Sequence, residues 1–236
     1  MNEFSDDENI ENENQNNPNE LYPIFPISNA VFFPKTIIPL HIFEPRYKKL
    51  LHDIQKFGNK RFVLTGLLTV DNPIKSIPDN LGVLVELIEE EPMQDGRFNI
   101  VVMVLERIRI GEYFRKYDIF SNDYAIAEIS YYPEEPIDSN SPEWIDLRKN
   151  LFMEFKAHFE RLTRKTLALT EEFIAESLSP EESINTACNI TMLDYSEKQS
   201  LLKIDSLFER GKKILDIYRK INYGISPKTD DSRFYH

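Results

Sequence analysis

This 236-residue chain has one cysteine, Cys188, so no disulfide can form within it. Glycine is scarce too, with seven in all. No G-x-x-x-x-G-K-[ST] run is present to wrap a phosphate in backbone N–H groups. The only Gly-Lys pair, Gly211-Lys212, is followed by Lys213 inside a helical pattern and is expected to be a surface feature. The four histidines are scattered, and neither Cys-x-x-Cys nor His-Glu-x-x-His occurs, so no metal and no cofactor are expected. A G-x-S-x-G nucleophile turn is missing as well. No apolar N-terminal run has the length of a signal peptide or a membrane span, which makes a cytoplasmic location without membrane contact the expectation.

Positive charge is also in deficit, with 28 Lys and Arg against 40 Asp and Glu, a net charge of -12. Residues 1–20 hold seven of those acids and no Lys or Arg, together with many asparagines. They offer too little apolar surface to offset the entropy of ordering, and are read as a disordered acidic tail. The remaining body carries 28 basic against 33 acidic residues, or -5. That balance argues against a nucleic-acid partner. What is present in quantity is core material: 41% of the residues are hydrophobic and 12% aromatic, enough for a sizeable folded body.

The body opens on LYPIFPISNAVFFPKTIIPLHIFEPRYKKLL, residues 21–51, where Pro23, Pro26, Pro34 and Pro39 punctuate apolar, β-branched runs. Proline fixes φ and has no N–H for a ladder, so YPIF, AVFF and TIIPL read as short strands at a sheet edge or bend. After Pro45 the period changes from two to 3.6. Tyr47, Leu50, Leu51, Ile54 and Phe57 fall on one helical face, and Gly58 supplies the stop. Residues 61–69 read as a strand and 71–80 as a loop. Residues 81–91 and 97–110 form a hairpin through Asp95-Gly96, with the second strand central and covered on both faces. Residues 123–132 add a strand. The polar PEEPIDSNSP stretch then marks a boundary, dividing a 21–136 β domain with one helix from a 137–224 helical domain, with 225–236 a polar tail.

Past Ser141 the periodicity is helical. Ser141-Pro142-Glu143 starts a helix whose stripe is Trp144, Leu147, Leu151, Phe155, Phe159 and Leu162. Ser179-Pro180-Glu181-Glu182 starts a second, with Ile184, Ala187 and Cys188 on one face. Ser196 to Gln199 starts a third, and Asp205 is placed to cap a further one. The expected fold is α+β: a bent β structure of about six strands followed by a bundle of three or four helices.

The order FPI, FFPK, IPLHIFEPRY resembles the opening of the N-terminal substrate-recognition domain of the ATP-dependent Lon protease family, usually FPL, LFPG, LPLHIFEPRY. The hairpin with its DGR turn, FNI and closing R-I-R-I extends the likeness, as do Lys198-Gln199, Leu201-Leu202, Asp205 and Arg210. Val104 stands where the family commonly has glycine, which argues against a bulge or close backbone approach there. The resemblance covers about residues 21–222. It implies a PUA-like pseudobarrel and binding of unfolded or exposed protein segments, either alone or as accessory to a separate ATP-dependent protease. The ATPase and Ser-Lys protease parts are not expected in this chain, so no enzyme activity is. The alternative is an RNA-binding PUA-like module, for which Arg107, Arg109, Arg115 and Lys116 are the cluster to watch.

No catalytic residue is expected. Glu44 and Arg46 read as fixing the strand-to-helix corner, Cys188 as a core residue, and His158 as a helix-face residue. His41 lies on the strand before the corner, and Glu89, Glu90 and Glu91 form a solvated strand end. Neither the lining of a peptide groove nor the oligomeric state follows from the sequence, because core and groove both look apolar.

Overall fold

The computed structural model describes residues 21–56, 58–67, 78–118 and 120–224. The expectations for the two tails, for Phe57 and for residues 68–77 lie outside the described residues. Within them the chain runs β1 (Leu21–Ser28), β2 (Ile37–Ile42), α1 (Pro45–Lys56), β3 (Arg61–Leu67), β4 (Pro78–Pro92), β5 (Phe98–Arg115) and β6 (Ala125–Tyr131). Helices α2 (Pro142–Thr163), α3 (Glu171–Ser177), α4 (Pro180–Ile190), α5 (Tyr195–Leu202) and α6 (Leu207–Asn222) follow. The fold is α+β, strands first and helices after.

The strand order is β2-β5-β4-β3-β1-β6, and β6 returns to pair with β5. Five strands thus form a closed but irregular ring, with β1–β3 parallel and the other pairs antiparallel. Strand β5 makes this possible because it is long enough to change partners along one edge. It pairs with β2 over residues 98–103 and with β6 from Ile108 onward. Between the two, Leu105 is an extra residue opposite β4, since Leu84 faces Glu106 and Val85 faces Val104. The bulge that a valine at 104 argued against is therefore present one residue on, and it bends β5 where the partner changes. The inner face of β5 (Ile100, Val102, Val104) is buried against α1 and the ring, whereas Val101 and Met103 on the outer face are half-buried. The strand is central but fully covered on one face only.

The stretch AVFF is not a strand. Asn29 and Lys35 take positive φ of 53° and 58°, and the chain reaches β5 where Lys35 N–H donates to the Val104 carbonyl and Val104 N–H donates to the Thr36 carbonyl, each at 2.8 Å. Val31 and Phe33 instead leave the sheet and pack among Trp144, Leu147, Ile184 and Tyr218 of the helices. Burial against the helices outweighs local β propensity here.

Five helices follow the strands, against three or four expected. Helix α3 was not legible because it has no buried residue and so no apolar stripe; Thr170 caps it, and Glu171 pairs with Arg148 at 2.6 Å. The stripe on α2 is buried at Trp144, Leu147 and Leu151, half-buried at Phe155 and Phe159, and exposed at Leu162. Helix α5 is capped by Asp194 with Glu197, not by Ser196, and Ser206 rather than Asp205 caps α6. Gly211 is buried, correcting its surface assignment. A Cβ there would lie 2.9 Å from Leu147 Cδ2, so glycine sets the close approach of α6 to α2 and α4.

Candidate functional site

The strand-to-helix corner forms as its residues suggest. Arg46 pairs with Glu44 at 2.7 Å, donates to the Asp118 carbonyl at 3.2 Å, and lies over the Tyr47 and Tyr117 rings. This clamps the start of α1 to the turn after β5. Cys188 is wholly buried on α4, and burial pushes its thiol up to about 12. The thiolate fraction at pH 8 is then of order 10⁻⁴, so we expect no reaction with a disulfide reagent in the native protein and one thiol per chain after denaturation. Rapid native labelling would place Cys188 at an accessible surface. His158 is half-buried on α2 beside the Tyr218 ring, and burial, with Arg161 adding, holds its pKa down.

Arg107, Arg109, Arg115 and Lys116 do not form a shared basic patch. Arg107 is buried, Arg109 lies over the Tyr132 ring at 4.0 Å, and Arg115 pairs with Asp123 at 3.4 Å. Arg107 and Arg210, both with fully buried side chains, instead share the carboxylate of Glu134, whose own side chain is 7% exposed. Arg107 donates to the carbonyls of Leu202, Ile204 and Pro133 at 2.7, 3.0 and 3.0 Å. Arg210 donates to Leu201 and Ile204 carbonyls and to Asn185 Oδ1 at 3.0, 2.7 and 2.8 Å. Burial holds Arg107 below its ordinary pKa, with Glu134 opposing and Arg210 adding to the shift. These side chains satisfy the free carbonyls at the end of α5 and rivet the helices to β5.

Above this junction, where β5 passes from β2 to β6, lies a cleft of about 400 Å³ walled by Pro34, Tyr132, Pro133, Pro136, Ile137 and Pro180. Burial, then Glu134, push the Glu181 carboxyl at its rim above its ordinary value. A second concavity, of about 440 Å³, lies on the outer face of β2, β5 and β4. It is lined by Pro39, Leu40 and His41 of β2, Asn99, Ile100 and Val101 of β5, and Glu89, Glu90 and Glu91 of β4. Among the described residues, strand β2 pairs with β5 on one edge only, and its outward residues Ile37 and Pro39 are exposed, Ile37 by 58%. Phe43, 59% exposed, stacks beside His41 at the end of this face. His41 Nδ1 lies 2.8 Å from Asn99 Oδ1 and its Nε2 lies 3.2 Å from Arg97 Nη1, so the imidazole is held as part of the surface. The sequence offered the β2 residues as an edge strand, but not the half-exposed Val101 and Met103 beside them.

A bent strand ring riveted to a helical bundle is a fold this chain shares with solved Lon protease N-terminal domains. The N-terminal domain of a Mycobacterium avium complex Lon protease matches with a TM-score of 0.62 at 15% identity, covering 85% of this chain and 98% of that one. A Lon N-terminal domain protein from Xanthomonas campestris matches at 0.59 and 21% identity, covering 84% and 98%. The family model of the ATP-dependent protease La (LON) substrate-binding domain matches residues 21–220, and the chain belongs to that family. A Lon protease of Orientia tsutsugamushi is 26% identical over 211 residues, which cover 84% of this chain; the chain spans 25% of that protease's length. The matching family model is of a substrate-binding domain, and both matching structures are Lon N-terminal domains. Among the described residues, no helix is long and apolar enough to cross a membrane.

Proposed function

We propose that this chain is a non-catalytic recognition module that holds exposed or unfolded polypeptide segments, on its own or for a separate ATP-dependent protease, in the cytoplasm. It comprises a 21–136 strand unit and a 137–224 helical unit. The observation that carries the reading is the open face of β2 and β5, where Ile37, Pro39, Val101, Met103 and Phe43 present apolar surface beside a groove. An extended segment laid there removes apolar area from water at about 25 cal/mol per Å². Pro39 has no N–H and interrupts any ladder added at the β2 edge, so side-chain contact supplies the larger part of the interaction.

The test is titration with a labelled, permanently unfolded protein, at low and high salt, using the full chain and a chain starting at Leu21. Saturable binding that survives salt and truncation is expected, with about a tenfold loss for Ile37→Asp combined with Phe43→Asp while thermal stability is unchanged. Binding indifferent to that pair of substitutions, or abolished by salt, would sink the assignment of this face.

A further inference from the structure

Strand β4 ends in three successive glutamates whose side chains do not share one face. Ile88 is an extra residue in the β4–β5 ladder, since Leu87 faces Val102 and Glu89 faces Val101; Glu90 then faces Ile100 and Glu91 faces Asn99. Glu90 turns back to α1, where it takes a hydrogen bond from Gln55. Glu89 and Glu91, two positions apart, therefore point outward with Val101 and Asn99, about 7 Å from one another. Both are exposed, and neither makes an ion pair or hydrogen bond among the described residues. Arg97, at the hairpin end of this sheet, is already paired with Asp95 at 2.5 Å. The outer face thus has an apolar row on β2 and β5 and a row of two unneutralised carboxylates on β4. Strands lie about 4.8 Å apart, so the two rows flank a segment lying over β5.

We propose that this groove selects extended client segments in which lysine or arginine lies beside apolar residues. The apolar side chains rest on Pro39, Val101 and Met103, and the cationic head groups reach Glu89 and Glu91. The inference rests on the recognition role assigned above and names the chemistry of the segment recognised. Lys and Arg suit the site because their aliphatic stems cover apolar surface while the charge stays in water. Carboxylates at the rim also attract basic segments and penalise acidic ones, which gives selectivity without much added affinity.

The experiment compares one permanently unfolded, reduced and alkylated polypeptide in two forms, with native lysines and with acetylated lysines, against the wild-type chain and the double variant E89Q/E91Q. Wild type is expected to prefer the unacetylated form about tenfold at low salt, and the preference is expected to collapse at high salt. In E89Q/E91Q the two forms converge to within about twofold. Equal binding of both forms to wild type overturns the proposal. So does a preference that persists in E89Q/E91Q, because it then comes from the overall negative charge of the chain. If neither form binds wild type, the recognition reading fails with it, an outcome distinct from equal binding. Thermal unfolding of the variant should match wild type, since both glutamates are exposed.

Discussion

Replacing Glu134 by alanine is expected to cost about 3–5 kcal/mol of stability, seen as a fall in the urea midpoint and roughly 6–20 °C in the melting temperature. Among the described residues, Glu134 is the only carboxylate with a buried side chain paired with either guanidinium; Asp205, 3.7 Å from Arg107, has a side chain 56% exposed. Without Glu134, two like charges with buried side chains stay beside one another, with only the half-exposed Asp205 left near Arg107 to compensate. Glu134→Gln keeps the volume and an acceptor but not the charge, and is expected to lose most of the same stability. A third variant separates charge from hydrogen bonding. Converting Arg107, Glu134 and Arg210 together to methionine removes every buried charge of the set. Replacing an isolated buried pair in this way is often neutral. Here recovery is not expected, because the carbonyls of Leu202 and Ile204 would lose donors at 2.7 Å each. A loss below about 1 kcal/mol for Glu134→Ala would show that water already reaches the junction.

Phe33→Ala is expected to cost a similar 3–5 kcal/mol, and to loosen the helices before the strands. Phe33 is fully buried, belongs to the link between β1 and β2, and yet packs in the helical core with Trp144 and Tyr218. Its ring also lies 5.9 Å from the Arg210 guanidinium carbon, so the truncation weakens the junction as well as the packing. Trp144 is the only tryptophan, which makes its fluorescence a reporter of that core. The Trp144 transition should shift to lower urea than the loss of strand signal in circular dichroism, whereas the two should coincide in wild type. Coincident transitions in Phe33→Ala, shifted by less than about 1 kcal/mol, would refute the role of Phe33 as a plug between the two parts.

Much of the architecture is legible locally, and the exceptions have definite causes. The corner at Glu44 and Arg46 could be read because proline, acid and helix start act within a few residues of each other. The helix at Pro180 could be read because a reciprocal cap is local by construction, and both halves of it form between Ser179 and Glu182. The start of α5 was misread because two caps compete. Ser196 with Gln199 and Asp194 with Glu197 have the same spacing, but Gln199 is spent elsewhere. Its amide is buried and donates to Asp79 Oδ2 at 2.8 Å. The AVFF stretch was misread because a short apolar run has the same appearance as a strand or as a plug. The clustered appearance of Arg107 and Arg109 misled in a third way. Two positions apart on β5, they share a face and both lie over the Tyr132 ring, at 4.3 and 4.0 Å, but Arg107 is buried against the end of α5 while Arg109 stays exposed.

The groove itself was beyond reach of the sequence, since half-exposed Val101 and buried Val102 are the same residue type one position apart. By itself the sequence determined the change from strand to helix periodicity, the order of the elements, most helix starts and the family, because these depend on side chains a few positions apart. Tertiary structure alone decided which charges are buried and which face of the sheet stays open. Arg210 meets Glu134 across 76 positions and Arg107 meets the end of α5 across 95, and β5 passes from β2 to β6 beyond the extra residue Leu105. Contacts at such separation have no local signature: they are selected by the free energy of closing the ring and burying the junction together.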